Sequence, residues 1–271
     1  MPAVPVPAVP VPAAPAVRRI RLAGTPVDLC LEAEAVSRVR GRLAAGSGRP
    51  LVVASANLDH VHHFGRGGRH PGLIGEPGSG ADWLVLLDGM PLVWRARQLD
   101  RGSVWQRLAG SDLLGELLSV AERDGRRVGF LGGSAQTHDR LATALAGSWP
   151  GLAVSGYWAP SRADLTDSRA SSAMAGEVRD AGTDLLVVGL GKPRQELWSA
   201  RYGTDTGAKV LLAFGAAADF VAGTVRRAPD ALRDSGLEWL YRLALEPRRL
   251  ARRYLLQGPP ALVRLFADRQ A

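Results

Sequence analysis

Between Gly189 and Glu196 the chain reads Gly-Leu-Gly-Lys-Pro-Arg-Gln-Glu, directly after the aliphatic run Leu185-Leu-Val-Val188. Such a run, ended by glycine and followed by helix-compatible residues, is how a buried parallel strand meets a helix N-terminus. Glycines at 189 and 191 let a ligand approach the backbone closely, and free N–H groups at a helix start favour a phosphate. Lys192 and Arg194 add positive charge, Pro193 suits a first helical turn, and Gln195 and Glu196 can bind sugar or base hydroxyls. The segment therefore reads as a nucleotide or phosphate site, with an ordinary strand-to-helix turn as the plainer alternative. A second block, Gly215-Ala-Ala-Ala-Asp-Phe-Val-Ala-Gly223 followed by Arg226-Arg-Ala-Pro229, sits at the end of the next apolar run. Gly132-Gly133 ends another and is equally phosphate-friendly. No full Gly-x-Gly-x-x-Gly fingerprint accompanies it, so a dinucleotide cofactor is unsupported and no cofactor is expected.

Asp88 follows Leu84-Val-Leu-Leu87 and precedes Gly89, which places a carboxylate at a strand's carboxyl edge, a common catalytic position in open α/β sheets. The same residue can also simply cap a turn. His60, His62 and His63 are close in sequence, but no further clustered Cys or His completes a set, and no Asp-x-Asp triad is present; no metal site is expected. Any diphosphate charge would then fall to arginines, lysine and backbone amides. Arg242, Arg249 and Arg252, seven and three residues apart, are candidates for one helical face. Residues 64 to 80, rich in glycine with Arg66, Arg69 and His70, read as a mobile loop beside Asp88.

The elements that must hold these groups alternate from Ile20 onward. Leu51–Ala56, Trp83–Leu87, Val128–Leu131, Leu152–Ser155, Leu185–Val188 and Val210–Phe214 read as strands. Residues 33–45, 111–123, 136–146 and 169–180 carry apolar side chains at helical spacing, with Ser111 a plausible N-cap. The fold class is α/β: a Rossmann-like, mostly parallel sheet flanked by helices. After Pro229 no strand is evident, and the rest reads as short helices broken by Pro247 and Pro259-Pro260. Three regions follow: a disordered Pro/Ala-rich tail at 1–19, a core at 20–229, and a helical, Arg-rich appendage at 230–271. The tail has prolines every two or three positions, unlike a signal-peptide core. A passive tail is the simpler reading, and a ligand for a proline-binding partner is the other.

The chain of 271 residues carries a net charge of +8, which calls for an anionic partner: nucleic acid, anionic lipid or a pyrophosphate substrate. Its one cysteine, Cys30, excludes an intramolecular disulfide and fits a reducing compartment. No apolar stretch is long enough to span a membrane. In the appendage, arginines interleave with Trp239, Leu240, Tyr241, Leu243, Tyr254, Leu255 and Phe266, the pattern of a helix lying in a membrane interface. A solvated charged face packed back on the core by its leucines is the alternative.

Taken with Gly236-Leu-Glu-Trp-Leu-Tyr-Arg-Leu243, Glu246-Pro247, Arg252-Arg-Tyr254, Arg107-Leu-Ala-Gly-Ser-Asp112, Phe130-Leu-Gly-Gly133, Asp88-Gly89 and Ser55-Ala-Asn57, the two glycine blocks make this chain resemble the WecG/TagA/CpsF glycosyltransferases, over roughly residues 25 to 257. The resemblance implies an inverting, metal-independent transfer from a UDP-sugar to a polyprenyl-diphosphate-linked saccharide in cell-surface polysaccharide or teichoic-acid-type synthesis. It makes Asp88 the general base, with Ser55 and Asn57 beside it; Ser55 stands where the family usually has threonine. It places Arg107, Gly110 and Asp112 near the donor, together with Gly132, Gly133, Gly191, Lys192, Pro193, Gln195 and Glu196, although Asp112 also suits a helix N-terminus. It gives the appendage, with Arg242, Arg249 and Arg252, a place on the cytoplasmic face of the membrane, helping to close the active site. A homo-oligomer stays open. The competing reading is a basic nucleic-acid- or nucleotide-binding module without catalysis, which predicts salt-sensitive binding and gives Asp88 no role; no nucleic-acid motif supports it. An inactive membrane scaffold is disfavoured by Asp88 and the Gly191–Glu196 block.

Overall fold

The computed structural model describes residues 17–46, 48–75, 80–102, 105–225, 228, 229, 232 and 237–268. Most of the Pro/Ala-rich tail lies outside these residues, as do Arg226, Arg227, Gly236, Arg269 and positions 76–79 of the glycine-rich segment. The described chain opens with an antiparallel hairpin, β1 (Arg18–Leu22) and β2 (Thr25–Leu29), that the sequence reading did not resolve. Its turn at Ala23-Gly24 has φ angles of 50° and 81°, the two positive values of a type I′ connection. β1 begins at Arg18, so the boundary expected between 19 and 20 falls inside a strand.

α1 (Glu32–Ala44) then leads to β3 (Leu51–Ala56), α2 (Leu58–Phe64), β4 (Asp82–Leu87), α3 (Met90–Leu99) and α4 (Gly110–Arg123). β5 (Val128–Gly132), α5 (Ala135–Ser148), β6 (Val154–Trp158), α6 (Arg162–Thr166) and α7 (Ser168–Asp180) follow. β7 (Leu185–Gly189), α8 (Arg194–Tyr202), β8 (Val210–Ala213) and α9 (Ala217–Val221) complete the sheet region. Strands β3 to β8 form one parallel sheet in the order β4-β3-β8-β7-β5-β6, the α/β arrangement expected. The sixth strand sits two residues later than its apolar run predicts, because Leu152 packs against the core ahead of the half-exposed edge strand.

Alternate strand residues feed two cores. Val52, Ala54, Val85, Leu186 and Leu211 meet the hairpin, α2, α3, α7 and α8 on one face; Val53, Leu84, Phe130, Val187 and Leu212 meet α1, α4 and α5 on the other. The hairpin also blunts the β4 edge, where Asp28 Oδ2 accepts the Val85 N–H at 2.7 Å. Arg19 holds that carboxylate at 2.8 Å.

The C-terminal part is helical as expected: α10 (Glu238–Leu245), α11 (Pro247–Ala251), a π-helical turn Arg252–Gln257, and α12 (Gly258–Ala267). Pro247, Pro259 and Pro260 open helices here instead of merely breaking them, since the first helical positions need no N–H. Ala261 and Leu265 of α12 are fully buried in the same core as Val61, Phe64, Leu92 and Val93. Residues 64–75 are pinned where they are described: Arg66 N donates to Ala23 O at 2.7 Å, His70 N to His63 O at 2.9 Å, and Ile74 is buried.

Candidate functional site

Every strand that ends in one of the singled-out motifs delivers it to the same edge of the parallel sheet. At the end of β3, Ser55 faces α4 and its buried hydroxyl accepts the Gly110 N–H at 3.1 Å. The helix start tolerates only glycine there: a Cβ at 110 would lie 2.3 Å from the Phe214 ring and 2.8 Å from Ser55 Oγ. The N-cap is Ala109, two residues ahead of the expected Ser111, which falls inside the first turn; the earlier start brings Gly110 onto Ser55.

Two residues on, Asn57 caps α2 by accepting the Asp59 N–H at 3.1 Å, and its amide donates to Asp88 Oδ2 at 3.4 Å. Asp88 hangs from β3 as well, donating its backbone N–H to Ala56 O at 3.0 Å. Its carboxylate is 22% exposed, open to a ligand. Arg107 sits among three acids: Asp88 Oδ1 at 3.5 Å, Asp112 Oδ2 at 2.9 Å and Glu238 Oε2 at 3.5 Å. Ser55, Asn57, Asp88, Arg107, Gly110 and Asp112 thus form one cluster. Glu238 joins it from the C-terminal helices; a glutamate opening a helix looks in sequence like a dipole partner only.

The β7–α8 turn is built otherwise than its sequence suggests. Gly191 takes a positive φ of 72°, as the tight turn needs. The Lys192–Pro193 peptide is cis, and Pro193 caps α8. Lys192 is nearly buried, and its ammonium donates to the Ser55 carbonyl and lies 3.9 Å from Glu196 Oε1. Gln195 and Glu196, expected to meet sugar or base hydroxyls, have no exposed surface. Gln195 Nε2 donates to Ala213 O at 2.6 Å and to Glu196 Oε1 at 3.0 Å. Helix α8 packs against β7 and β8, and the hydrogen bond from Gln195 to the end of β8 holds its first turn inward. Burial pushes the Glu196 carboxyl up, opposed by the Lys192 charge, and pushes Lys192 down, opposed by Glu196.

Beside this lies a cleft lined by Gly132, Gly133, Thr137, His138, Gly215 and Asp219. Gly132 has φ +108°, and a Cβ on it would meet Gly189 O at 2.6 Å. His138 hydrogen-bonds Gly132 O at 2.7 Å. Asp219, inside the Gly215–Gly223 block but not singled out by sequence, is raised by burial, opposed by the charges of Arg249 and Arg242. Arg242 lies over the Phe220 ring, and Arg249 donates to Glu246 Oε2. Arg252 is exposed and does not share their surroundings, because the chain leaves α11 for a π-helical turn there. Arg253 turns inward instead, 3.3 Å from Asp59 Oδ2. Among the described residues no group of three or more His, Cys, Asp or Glu could hold a metal: His60 is buried against Glu196, and His63 pairs with Asp59 at 3.4 Å.

Two curated relatives share this sequence pattern at 30% identity, both named N-acetylglucosaminyldiphosphoundecaprenol N-acetyl-beta-D-mannosaminyltransferase. The Bacillus subtilis protein matches over 168 residues, 62% of this chain and 63% of its own length. The Bacillus spizizenii protein matches over 174 residues, 64% of this chain and 65% of its own. The matched part therefore spans a little under two thirds of each relative. Residues 20–271 match the glycosyl transferase WecG/TagA/CpsF family from the hairpin to the last helix, and with the cluster around Asp88 in place the chain belongs to that family.

Proposed function

We propose that the protein is an inverting glycosyltransferase that moves a sugar from a UDP-sugar to a polyprenyl-diphosphate-linked saccharide in cell-envelope polysaccharide synthesis. The observation that carries this reading is Asp88: an accessible carboxylate at a strand end, oriented by Asn57 and Arg107, at the sheet edge that also holds the glycine cleft. The two relatives' names supply the acceptor class, a sugar on undecaprenyl diphosphate, and an N-acetylhexosamine as the transferred group.

In the reaction, an acceptor hydroxyl attacks the anomeric carbon as the bond to the UDP oxygen breaks on the opposite face. Asp88 takes the hydroxyl proton, the task of a general base. The departing diphosphate gains negative charge, which Arg242, Arg249 and the amides around Gly132 and Gly133 offset. On this reading the arginines take over the charge neutralisation that a cation would otherwise supply, and the reaction needs no metal. The acceptor is reached at the inner face of the membrane: Leu255, Leu256, Val263 and Phe266 are exposed on the C-terminal helices, as is Arg252. Among the described residues no helix is long and apolar enough to cross a membrane, so attachment is peripheral on this reading.

The test is a screen of UDP-hexoses, UDP-N-acetylhexosamines and UDP-uronic acids for UDP release with a lipid-diphosphate-sugar acceptor. The Asp88→Asn variant should bind UDP normally and turn over about 10²–10⁴ times more slowly, the usual contribution of a general base. Turnover close to wild type would remove Asp88 from that role. EDTA should leave the rate unchanged, and a loss restored by magnesium or manganese would overturn the metal-independent mechanism.

A further inference from the structure

Lys192 has the charge and the sequence position of a diphosphate ligand, yet it is not among the residues that line the cleft. Its side chain is only 8% exposed, its ammonium donates to the Ser55 carbonyl, and Glu196 Oε1 lies 3.9 Å away. Glu196 is itself anchored, since the Gln195 amide bridges its carboxylate and the carbonyl of Ala213, the last residue of β8. The ends of three neighbouring strands, β3, β8 and β7, are therefore tied through one buried cation and its acid.

The consequence lies in what Ser55 and its neighbours hold. The Ser55 hydroxyl fixes the first N–H of α4, and Asn57 both caps α2 and donates to Asp88. Ala56 O accepts the backbone N–H groups of Asp88 and Gly89. Displacement of the Ser55–Asn57 segment would therefore move the carboxylate at 88 and the start of α4 together. We infer that Lys192 is a positioning residue for the reaction, a buried strut that sets Asp88 through the Ser55–Asn57 segment, and not a ligand of the donor diphosphate. This rests on the glycosyltransferase reading for its kinetic part only.

A buried ammonium bonded to a carbonyl and facing an acid is a costly device to break from one side, because the partner is left uncompensated. Lys192→Met keeps the length of the side chain and removes the charge and the donor. UDP affinity and donor KM should stay within about threefold of wild type, while kcat falls about 10²-fold, the scale on which a misplacement of an ångström acts. In an Asp88→Asn background the same substitution should cost less than about threefold more, because residues acting as a unit are not additive. Independently of activity, the Gly110 and Asp59 amides, which bond Ser55 Oγ and Asn57 Oδ1, should exchange with solvent faster, while amides of β6 keep the wild-type rate.

Should Lys192→Met fail to fold, the double variant Lys192→Met/Glu196→Gln removes both buried charges and should show the same kcat loss. UDP binding weakened about tenfold or more with kcat preserved would make Lys192 a diphosphate ligand and sink the proposal. So would a rise in exchange spread evenly over the sheet, or kinetics and exchange both at wild-type values. If the wild-type protein transfers no sugar from any UDP donor, the function reading fails, and the exchange pattern alone decides whether Lys192 is the strut.

Discussion

His60 is fully buried, and neither ring nitrogen has a hydrogen-bond partner among the described residues. Burial holds its pKa well below the usual histidine range, and the Lys192 charge pushes the same way while Asp59 opposes. The folded protein therefore keeps His60 neutral at a pH where the unfolded chain would take a proton. A depressed pKa contributes stability that is complete above the unfolded value, near 6.5, and is lost as pH falls toward the folded one. The slope from this residue approaches about 1.4 kcal/mol per pH unit. Replacing it with a group that does not titrate, His60→Met, should flatten the fall of unfolding free energy between about pH 6.5 and 5 by that amount. Glu196, with its raised pKa, contributes the opposite slope and lies 3.9 Å from the His60 ring, so the comparison is made in a Glu196→Gln background, where the difference between the denaturant curves isolates His60. Identical pH profiles would show that the ring is hydrated or paired in solution.

At the scale of elements, the edge strand β6, Val154-Ser-Gly-Tyr-Trp158, was displaced by two residues, while the other five parallel strands were legible because each is an apolar run closed by a glycine or a polar residue. The hairpin was not: Arg18-Arg-Ile-Arg-Leu22 carries three charges, and Ala23-Gly24 lacks the Asn-Gly or Asp-Gly signal of its turn. The site divides in the same way. Asp88 was readable because strand ends in such a sheet share one edge, whereas Ser55, Asn57 and Arg107 were pointed out by the family resemblance alone. Glu238, Arg253 and the inward turn of Lys192 were not readable, because contacts between residues more than a hundred positions apart leave no local periodicity. Gly110 shows how tightly that edge is assembled. Gly110→Ala would drive a methyl into the Phe214 ring and against Ser55 Oγ, so it should destabilise by about 1–3 kcal/mol, the cost of overpacking. It should lower turnover as well, by separating α4 from β3. Gly147→Ala, in open space on α5, is the control and should stabilise by about 0.5–1 kcal/mol. Equal melting temperatures for the two variants would mean that the α4 start yields without strain.

Across the whole molecule, the C-terminal helices face two ways: one face packs back on the core, and the other carries the exposed apolar groups on which the membrane reading depends. One face belongs to the core: Ala261 and Leu265 have no exposed surface, α12 packs on α2 and α3, and Asp268 O accepts from Arg95 at 2.5 Å. The other face is apolar and unburied, with Leu256 and Val263 70% and 67% exposed. Ending the chain after Pro229 therefore strips the α2–α3 face of its cover, although the sheet itself is complete by Ala213. Single substitutions separate anchorage from folding more cleanly than truncation. Leu265→Ala should cost about 2–5 kcal/mol of stability, as for a buried leucine, and leave intrinsic liposome affinity unchanged in the folded fraction. Leu256→Asp with Val263→Asp should leave the melting temperature near wild type, since exposed positions shift stability by only about 0.5 kcal/mol. The same pair should abolish sedimentation with anionic vesicles and slow transfer to a lipid-linked acceptor in membranes, while a short soluble acceptor reacts at the wild-type rate. Each apolar side chain inserted contributes about 1.5–3 kcal/mol, so losing the two most exposed ones removes about 3–6 kcal/mol of attraction, and the two new carboxylates are repelled by the anionic surface that the arginines attract at about 1 kcal/mol each. Vesicle binding that survives the double substitution would place the membrane contact elsewhere on the molecule.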